Sequence, residues 1–154
     1  QQAFDPLLTP GARNYWKSHN FSELSDGLLG EMLSATKSLP SPQSEIFVAQ
    51  VGGEAARRPI DSTAYPHRDA AYVMNVHTRW ESPADDTRCV DWARAFFDAT
   101  APYATGGVYL NFVSEAADEE RIRAAYGAHF DRLREVKRKY DPENLFRTNL
   151  NVRP

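Results

Sequence analysis

Two polar side chains alternate with apolar ones in the stretch 71–80 and are the first residues that could do chemistry. The residue types favour a β-strand, and a two-residue period puts Asn75 and His77 on one face. A histidine can exchange a proton near neutral pH, and an amide can donate and accept hydrogen bonds. We therefore predict a substrate contact there, with His77 as a candidate acid or base. The alternate positions are predicted to face the core: Tyr72, Met74, Val76 and Thr78.

An amide also stands in an otherwise apolar run, GVYLNFV, at residues 107–113. Valine, tyrosine and phenylalanine favour strands, and a Gly-Gly pair precedes the run, so we predict a short buried strand. Alternation places Tyr109 and Asn111 on one face and Phe112 on the other. An unpaired buried amide costs about 1–3 kcal/mol. Asn111 is therefore expected either to bond a neighbouring loop or to face a ligand.

Motifs for other chemistries are missing from the sequence. His67 and His77 are the only histidines near each other, and no cysteine or carboxylate cluster joins them, so we expect no metal site. There is no Walker loop, no GxGxxG motif and no nucleophile elbow. Cys89 is the single cysteine, which excludes an intrachain disulfide.

Composition is that of an ordinary globular domain. The chain has 154 residues, of which 42% are hydrophobic and 25% charged, and its formal net charge is −3. A negative balance argues against nucleic acid or an anionic membrane surface as partner. No apolar run approaches the roughly 20 residues that span a bilayer. We therefore predict neither a nucleic-acid nor a membrane partner.

Hydrophobic periodicity predicts the elements that position these residues. Residues 1–20 hold Pro6, Pro10 and Gly11 and are predicted to be irregular. The order that follows lacks a βαβ alternation, so we predict a single α+β domain over residues 1–154, an antiparallel sheet with helices packed on one face. The start at Gln1, without methionine, suggests a processed chain, an excised domain or an edited sequence. The predicted helices cover 25–39, a stretch from Ser82, and 117–140 with an interruption at Gly127; the strands cover 45–51, 71–80 and 107–113.

The last 50 residues or so carry a more specific pattern, and looser pieces lie upstream. The pattern resembles the C-terminal segment of the berberine-bridge-enzyme-like FAD-linked oxidases, and the resemblance covers nearly the whole chain. The upstream pieces are Tyr15-Trp16-Lys17-Ser18, Tyr65-Pro66-His67-Arg68 and Trp80. The specific part comprises Tyr109, Asn111-Phe112, Tyr126-Gly127, Phe130, Arg132-Leu133, Val136-Lys137, Tyr140-Asp141-Pro142, Asn144, Phe146 and the tail from Asn149 to Pro154.

The resemblance implies an oxidoreductase built from two modules. In that family an N-terminal module binds FAD, often covalently, and a C-terminal domain lays an antiparallel sheet over the isoalloxazine ring. This chain is similar to the substrate half only. The implied partners are an FAD-binding module or second chain and a small-molecule substrate, and this chain alone is expected to be inactive.

The resemblance also implies roles for particular residues. Tyr109 and Asn111 match the first and third positions of the family motif Tyr-x-Asn-Tyr, whose strand lies beside the flavin, and Asn149 belongs to the matching tail. The second motif tyrosine often removes the proton of a substrate hydroxyl, but here that position is Phe112, which cannot accept a proton. His77 on the neighbouring strand could replace it as base, or Asn75 and His77 could simply line a substrate pocket together with Phe112.

Three functions remain open from the sequence. The first is the substrate half of an oxidase that acts on an alcohol, a sugar or a secondary metabolite by hydride transfer to flavin. The second is a non-catalytic ligand-binding or structural domain that kept the fold and lost the tyrosine base. The third is a stand-alone ligand-binding protein unrelated to flavin.

Overall fold

Three antiparallel strands form the sheet against which the other elements pack. The computed structural model describes residues 10–112, 119–147 and 151–154. The strands are β1 (Arg13–Phe21), β2 (Glu45–Gln50) and β3 (Tyr72–Trp80), in the spatial order β1-β3-β2. The helices are α1 (Asp26–Thr36), α2 (Glu54–Arg57), α3 (Asp86–Thr100), α4 (Glu119–Tyr126) and α5 (Phe130–Tyr140). Both neighbours of β3 run antiparallel to it, which confirms the predicted α+β class.

The prediction of an irregular segment is wrong from Arg13 onward, where β1 begins. Residues 1–9 of that segment lie outside the described residues. The core-facing side of β1 carries polar side chains where a typical strand has valine or isoleucine, which hid the alternation. The structure covers two of them with one aromatic ring: His19 stacks on Phe97 at 3.8 Å, and Lys17 Nζ lies 4.6 Å from the same ring centre. Arg13 Nη2 donates to Asp86 Oδ2 at 2.7 Å. The polar groups of this edge strand are thus accommodated by α3.

Helices α1 and α3 pack on one face of the sheet and bury the main core with it. Ser25 caps α1, since its Oγ accepts from Leu28 N at 3.4 Å. Ser82 Oγ accepts from Ala84 N at 3.2 Å and begins the turn that leads into α3. Apolar burial of this kind is the main stabilising term. The core residues include Phe21, Leu28, Met32, Met74, Val76, Cys89, Ala93 and Phe96.

The long helix predicted from residue 117 to 140 is divided in the described residues. A 3₁₀ turn at Gly127–His129 separates α4 from α5, and Gly127 has a φ of +50°, a left-handed conformation that glycine adopts at least cost. The predicted interruption at Gly127 is thus confirmed. Residues 117 and 118 lie outside the described residues.

The predicted strand at residues 107–113 is wrong over its described part. Leu110–Phe112 forms a 3₁₀ turn in which Phe112 N donates to Tyr109 O at 2.9 Å. A turn brings the rings of Tyr109 and Phe112 together, 5.1 Å between centres, whereas a strand would point them to opposite sides. Local aromatic packing therefore outweighs the strand propensity of the run. Val113 lies outside the described residues.

No helix in the described ranges combines the length and apolar character needed to cross a membrane.

Candidate functional site

The sheet face opposite the main core carries mostly polar side chains. In an antiparallel sheet, residues directly opposite each other point to the same side. Register pairs Asn75 with Ser18 on β1 and with Phe47 on β2. It likewise pairs His77 with Trp16 and with Glu45. The polar face therefore places these six side chains in two adjacent rows.

A pocket of about 330 Å³ lies between these rows and the 3₁₀ turn Leu110–Phe112. It brings together four predicted site residues that are far apart in the sequence, Asn75, His77, Asn111 and Phe112. Sequence reasoning missed the other three. Period-two alternation in the stretch 45–51 would have paired Glu45 with Phe47, but only the register with β3 shows which side they face. The lining comprises Trp16, Glu45, Phe47, Asn75, His77, Asn111 and Phe112.

His77 is held by contacts at both ring nitrogens. Its Nε2 lies 2.9 Å from Asn14 Oδ1, and Asn14 Nδ2 donates to Ala12 O at 2.8 Å. That second bond leaves the Asn14 oxygen as an acceptor, so Nε2 is the donor in its contact with Asn14. Nδ1 faces Glu45 Oε1 at 3.4 Å, and the Trp16 ring packs edge-on against the imidazole at 5.2 Å.

Asn75 lines the pocket and holds a buried, unsatisfied acceptor. The residue is 8% exposed, and its Oδ1 has no hydrogen-bond partner among the described residues. The same holds, in the described part of the chain, for Ser18 Oγ and for both amide atoms of Asn20 on the same sheet face. An unpaired buried polar group costs about 1–3 kcal/mol. This side of the sheet is therefore built to receive a polar group.

Tyr109 and Asn111 lie beside the pocket. Asn111 Nδ2 donates to the Tyr109 hydroxyl at 2.9 Å, and Asn111 lines the pocket while Tyr109 does not. The Tyr109 ring also packs edge-on against Tyr65 at 5.9 Å. Burial raises the pKa of the Tyr65 phenol, partly offset by the nearby Arg68 cation, so this phenol is a hydrogen-bond donor at neutral pH. Asn149, the third predicted cofactor contact, lies outside the described residues.

His67 lies away from the pocket. Its Nε2 donates to Ala125 O at 3.0 Å and ties the loop before β3 to α4. Within the described ranges, no three histidine, cysteine, aspartate or glutamate side chains are grouped so that they could hold a metal ion.

The fold is shared with solved structures of longer chains. Glycopeptide hexose oxidase DBV29, solved in complex with teicoplanin, superposes with a TM-score of 0.81 at 24% identity, over 94% of this chain and 33% of that one. BBE-like #28 from Arabidopsis thaliana gives a TM-score of 0.78 at 18% identity, over 93% of this chain and 34% of that one. At these identities the likeness establishes the fold alone.

Sequence relatives then give the family. The uncharacterized FAD-linked oxidoreductase YgaK of Bacillus subtilis is 30% identical over 140 residues, 90% of this chain and 31% of that protein. Chitooligosaccharide oxidase of Gibberella zeae is 30% identical over 102 residues, 63% of this chain and 20% of that protein. Residues 108–153 match the family model described as berberine and berberine like. The chain belongs to the berberine-bridge-enzyme-like family of FAD-linked oxidoreductases, and the predicted resemblance is confirmed.

The chain spans about a third or less of the length of these curated relatives.

Proposed function

We propose that this chain is the substrate-binding half of an FAD-dependent oxidoreductase that oxidises a hydroxyl group of an alcohol, a sugar or a secondary metabolite. One observation carries the proposal: the pocket of about 330 Å³ that joins Asn75 and His77 of β3 with Asn111 and Phe112. A concave site with apolar walls and a few convergent polar groups is the usual form of a small-molecule site.

The residues of the polar face fit FAD. Isoalloxazine is a planar ring system whose edge carries N–H and C=O groups, which match the unsatisfied atoms of Ser18 and Asn20. Tyr109, Asn111 and Asn149 are the proposed cofactor contacts of this chain. Most of the FAD would be held by a module outside these 154 residues. This agrees with the match to YgaK, in which the chain covers only 31% of the length of that protein. When bound, FAD supplies the hydride acceptor.

The pocket lining suits a substrate with both apolar faces and hydroxyl groups. Three aromatic rings, Trp16, Phe47 and Phe112, line the described pocket. Apolar C–H faces pack against such rings, while the Asn75 acceptor and the Glu45 carboxylate can receive hydroxyl hydrogens. A sugar meets both requirements, and the names of the chitooligosaccharide oxidase and of the carbohydrate oxidase from Microdochium nivale support that choice.

The test is anaerobic flavin reduction in the intact flavoprotein, with glucose, cellobiose and benzyl alcohol as probes. Loss of the flavin absorption band on mixing is the expected result with at least one probe. Asn75→Leu should raise the KM for that probe about tenfold, because one hydrogen bond to the substrate is lost. Gln50→Ala, an exposed position on β2, is the control and should match the parent protein. If no probe bleaches the flavin, or if Asn75→Leu behaves like the control, the proposal is wrong.

A second candidate is a ligand-binding domain that has lost the chemistry. Phe112 favours it, because this ring occupies the place of the family's tyrosine and packs on Tyr109 within the pocket wall. Phe112→Tyr separates the two functions. A parent without turnover that gains it in the variant supports the second candidate, whereas an unchanged measurable rate shows that the site does not depend on this position.

A further inference from the structure

His77 has no nitrogen left for a substrate. His77 Nε2 lies 2.9 Å from Asn14 Oδ1, and His77 Nδ1 lies 3.4 Å from Glu45 Oε1. The imidazole is only 7% exposed in its side chain and lies under the edge of Trp16. A general base must come within hydrogen-bond reach of the proton that it removes. The ring of His77 is therefore shielded by the groups that bind it.

Glu45 has the opposite properties. Its side chain is 50% exposed and lines the same pocket as Asn75 and His77. Its Oε1 faces His77, and its Oε2 makes no hydrogen bond or ion pair within the described residues. A carboxylate oxygen that is open to the pocket can accept a hydrogen from a hydroxyl group.

We propose that Glu45 is the catalytic base of this site and that His77 and Asn14 are positioning residues. The inference rests on the proposed function and gives a role to a carboxylate that the sequence pattern did not single out. Breaking the substrate O–H bond transfers its proton to the Glu45 carboxylate, and the O–H electron pair forms the new C=O bond. The carbinol hydrogen leaves with its bonding electron pair as hydride, which FAD would accept when bound. Atoms and electrons balance, because the oxidant is the FAD of the proposed enzyme.

The assignment of Glu45 as the base depends on the tautomer of His77. In the neutral imidazole that carries its hydrogen on Nε2, the lone pair of Nδ1 faces Glu45 Oε1. A protonated Glu45 can then donate to Nδ1, which stabilises the state formed when the substrate loses its proton. In the other tautomer Nδ1–H would donate to the carboxylate and make it a poorer proton acceptor. Asn14 selects the productive tautomer, because its own Nδ2 is bound to Ala12 O.

Rates of flavin reduction in the intact flavoprotein test the assignment with the probe that bleaches the flavin. Glu45→Gln should lower the limiting rate at least about a hundredfold with little change in KM, the usual effect of removing a general base. Asn14→Leu should lower the rate about tenfold, and Asn14→Asp, which keeps an acceptor for Nε2–H, should restore it. Glu54→Gln, an exposed glutamate on α2, is the matched control. A hundredfold loss in His77→Gln together with a Glu45→Gln rate within threefold of the parent would overturn the proposal.

A second measurement separates this inference from the proposed function. Selective ¹⁵N labelling of histidine reports which ring nitrogen carries the hydrogen, and His77→Gln assigns the signal. The expected result is an Nε2–H tautomer in the parent protein and its loss in Asn14→Leu. An Nδ1–H tautomer or a doubly protonated ring in the parent overturns the inference even if flavin reduction is observed. If no probe reduces the flavin, the proposed function fails. The tautomer measurement still tests the arrangement of Asn14, His77 and Glu45 in that case.

Discussion

The two faces of β3 are almost equally buried, yet one packs in the core and the other lines the pocket. Met74 and Val76 on the core face are 0% exposed, and Asn75 and His77 on the other face are 8% and 5% exposed. What separates the faces is whether polar atoms have partners. On the core face Thr78 Oγ1 donates to Tyr15 O at 3.1 Å, whereas Asn75 Oδ1 has no partner within the described residues. Unsatisfied polarity, rather than exposure, indicates where a ligand belongs in this domain.

Met74→Ala should break the core face and cause the largest loss of stability. A buried methionine truncated to alanine leaves a cavity, with a typical cost of about 2–5 kcal/mol. Urea unfolding followed by circular dichroism measures this cost, and Leu33→Ala, which removes a side chain from a residue that is 65% exposed, is the control. Equal midpoints for the two variants would show that this face of the sheet is not the core.

Gly107→Ala should destabilise the packing of the Gly107 backbone against Asn20 on the polar face and against His67. A methyl group at this position would clash with His67 Nδ1 and lie 2.9 Å from Asn20 Nδ2. Asn20 is fully buried in β1, and the His67 ring is held by its bond to Ala125 O. Overpacking of this kind costs about 1–3 kcal/mol. The matched control is Gly30→Ala, where no atom lies within 4 Å of the added methyl group. A Gly107→Ala variant as stable as the control would mean that His67 and Asn20 can move aside without strain.

Asn75→Leu should separate stability from ligand binding. Replacing an unsatisfied buried acceptor by an apolar group of similar size is neutral or stabilising, so the unfolding free energy should stay the same or rise by up to about 1 kcal/mol. Thermal unfolding and the KM of flavin reduction, measured on one preparation, check the two effects together. A destabilised variant would show that Asn75 bonds a partner that the described residues do not include.

The contrast between the faces also explains what could be predicted from the sequence. β3 was predictable, because it alternates apolar residues such as Met74 with polar ones such as Asn75. β1 was not, because its core side contains Lys17 and His19, whose burial depends on the Phe97 ring of α3. Glu45 could not be placed in the site either, because strand register is a tertiary property that local propensity does not encode.

Asp86→Asn, at the edge of the core face, should have the smallest effect on stability among these variants. Arg13 donates from Nε and Nη2 to the Asp86 carboxylate at 2.5 and 2.7 Å, and Trp80 Nε1 donates to it at 2.7 Å. The bonds from Arg13 and then Trp80 hold the pKa of this carboxyl below its usual value. The pair is nearly half exposed, and such pairs contribute little.

The sign of the pH dependence follows from that lowered pKa. A carboxyl group whose pKa is lower in the folded protein stabilises it above the unfolded-state pKa of about 3.9, and this contribution is lost as the pH falls through the folded-state value. The urea midpoint of Asp86→Asn should thus lie slightly below that of the parent at pH 7, and the gap should close below about pH 3. Asp91→Asn, on an exposed position of the same helix, should show no such gap. A gap that persists in acid would assign the loss to packing rather than to charge, and would place Asp86 with the neutral polar contacts of the core face.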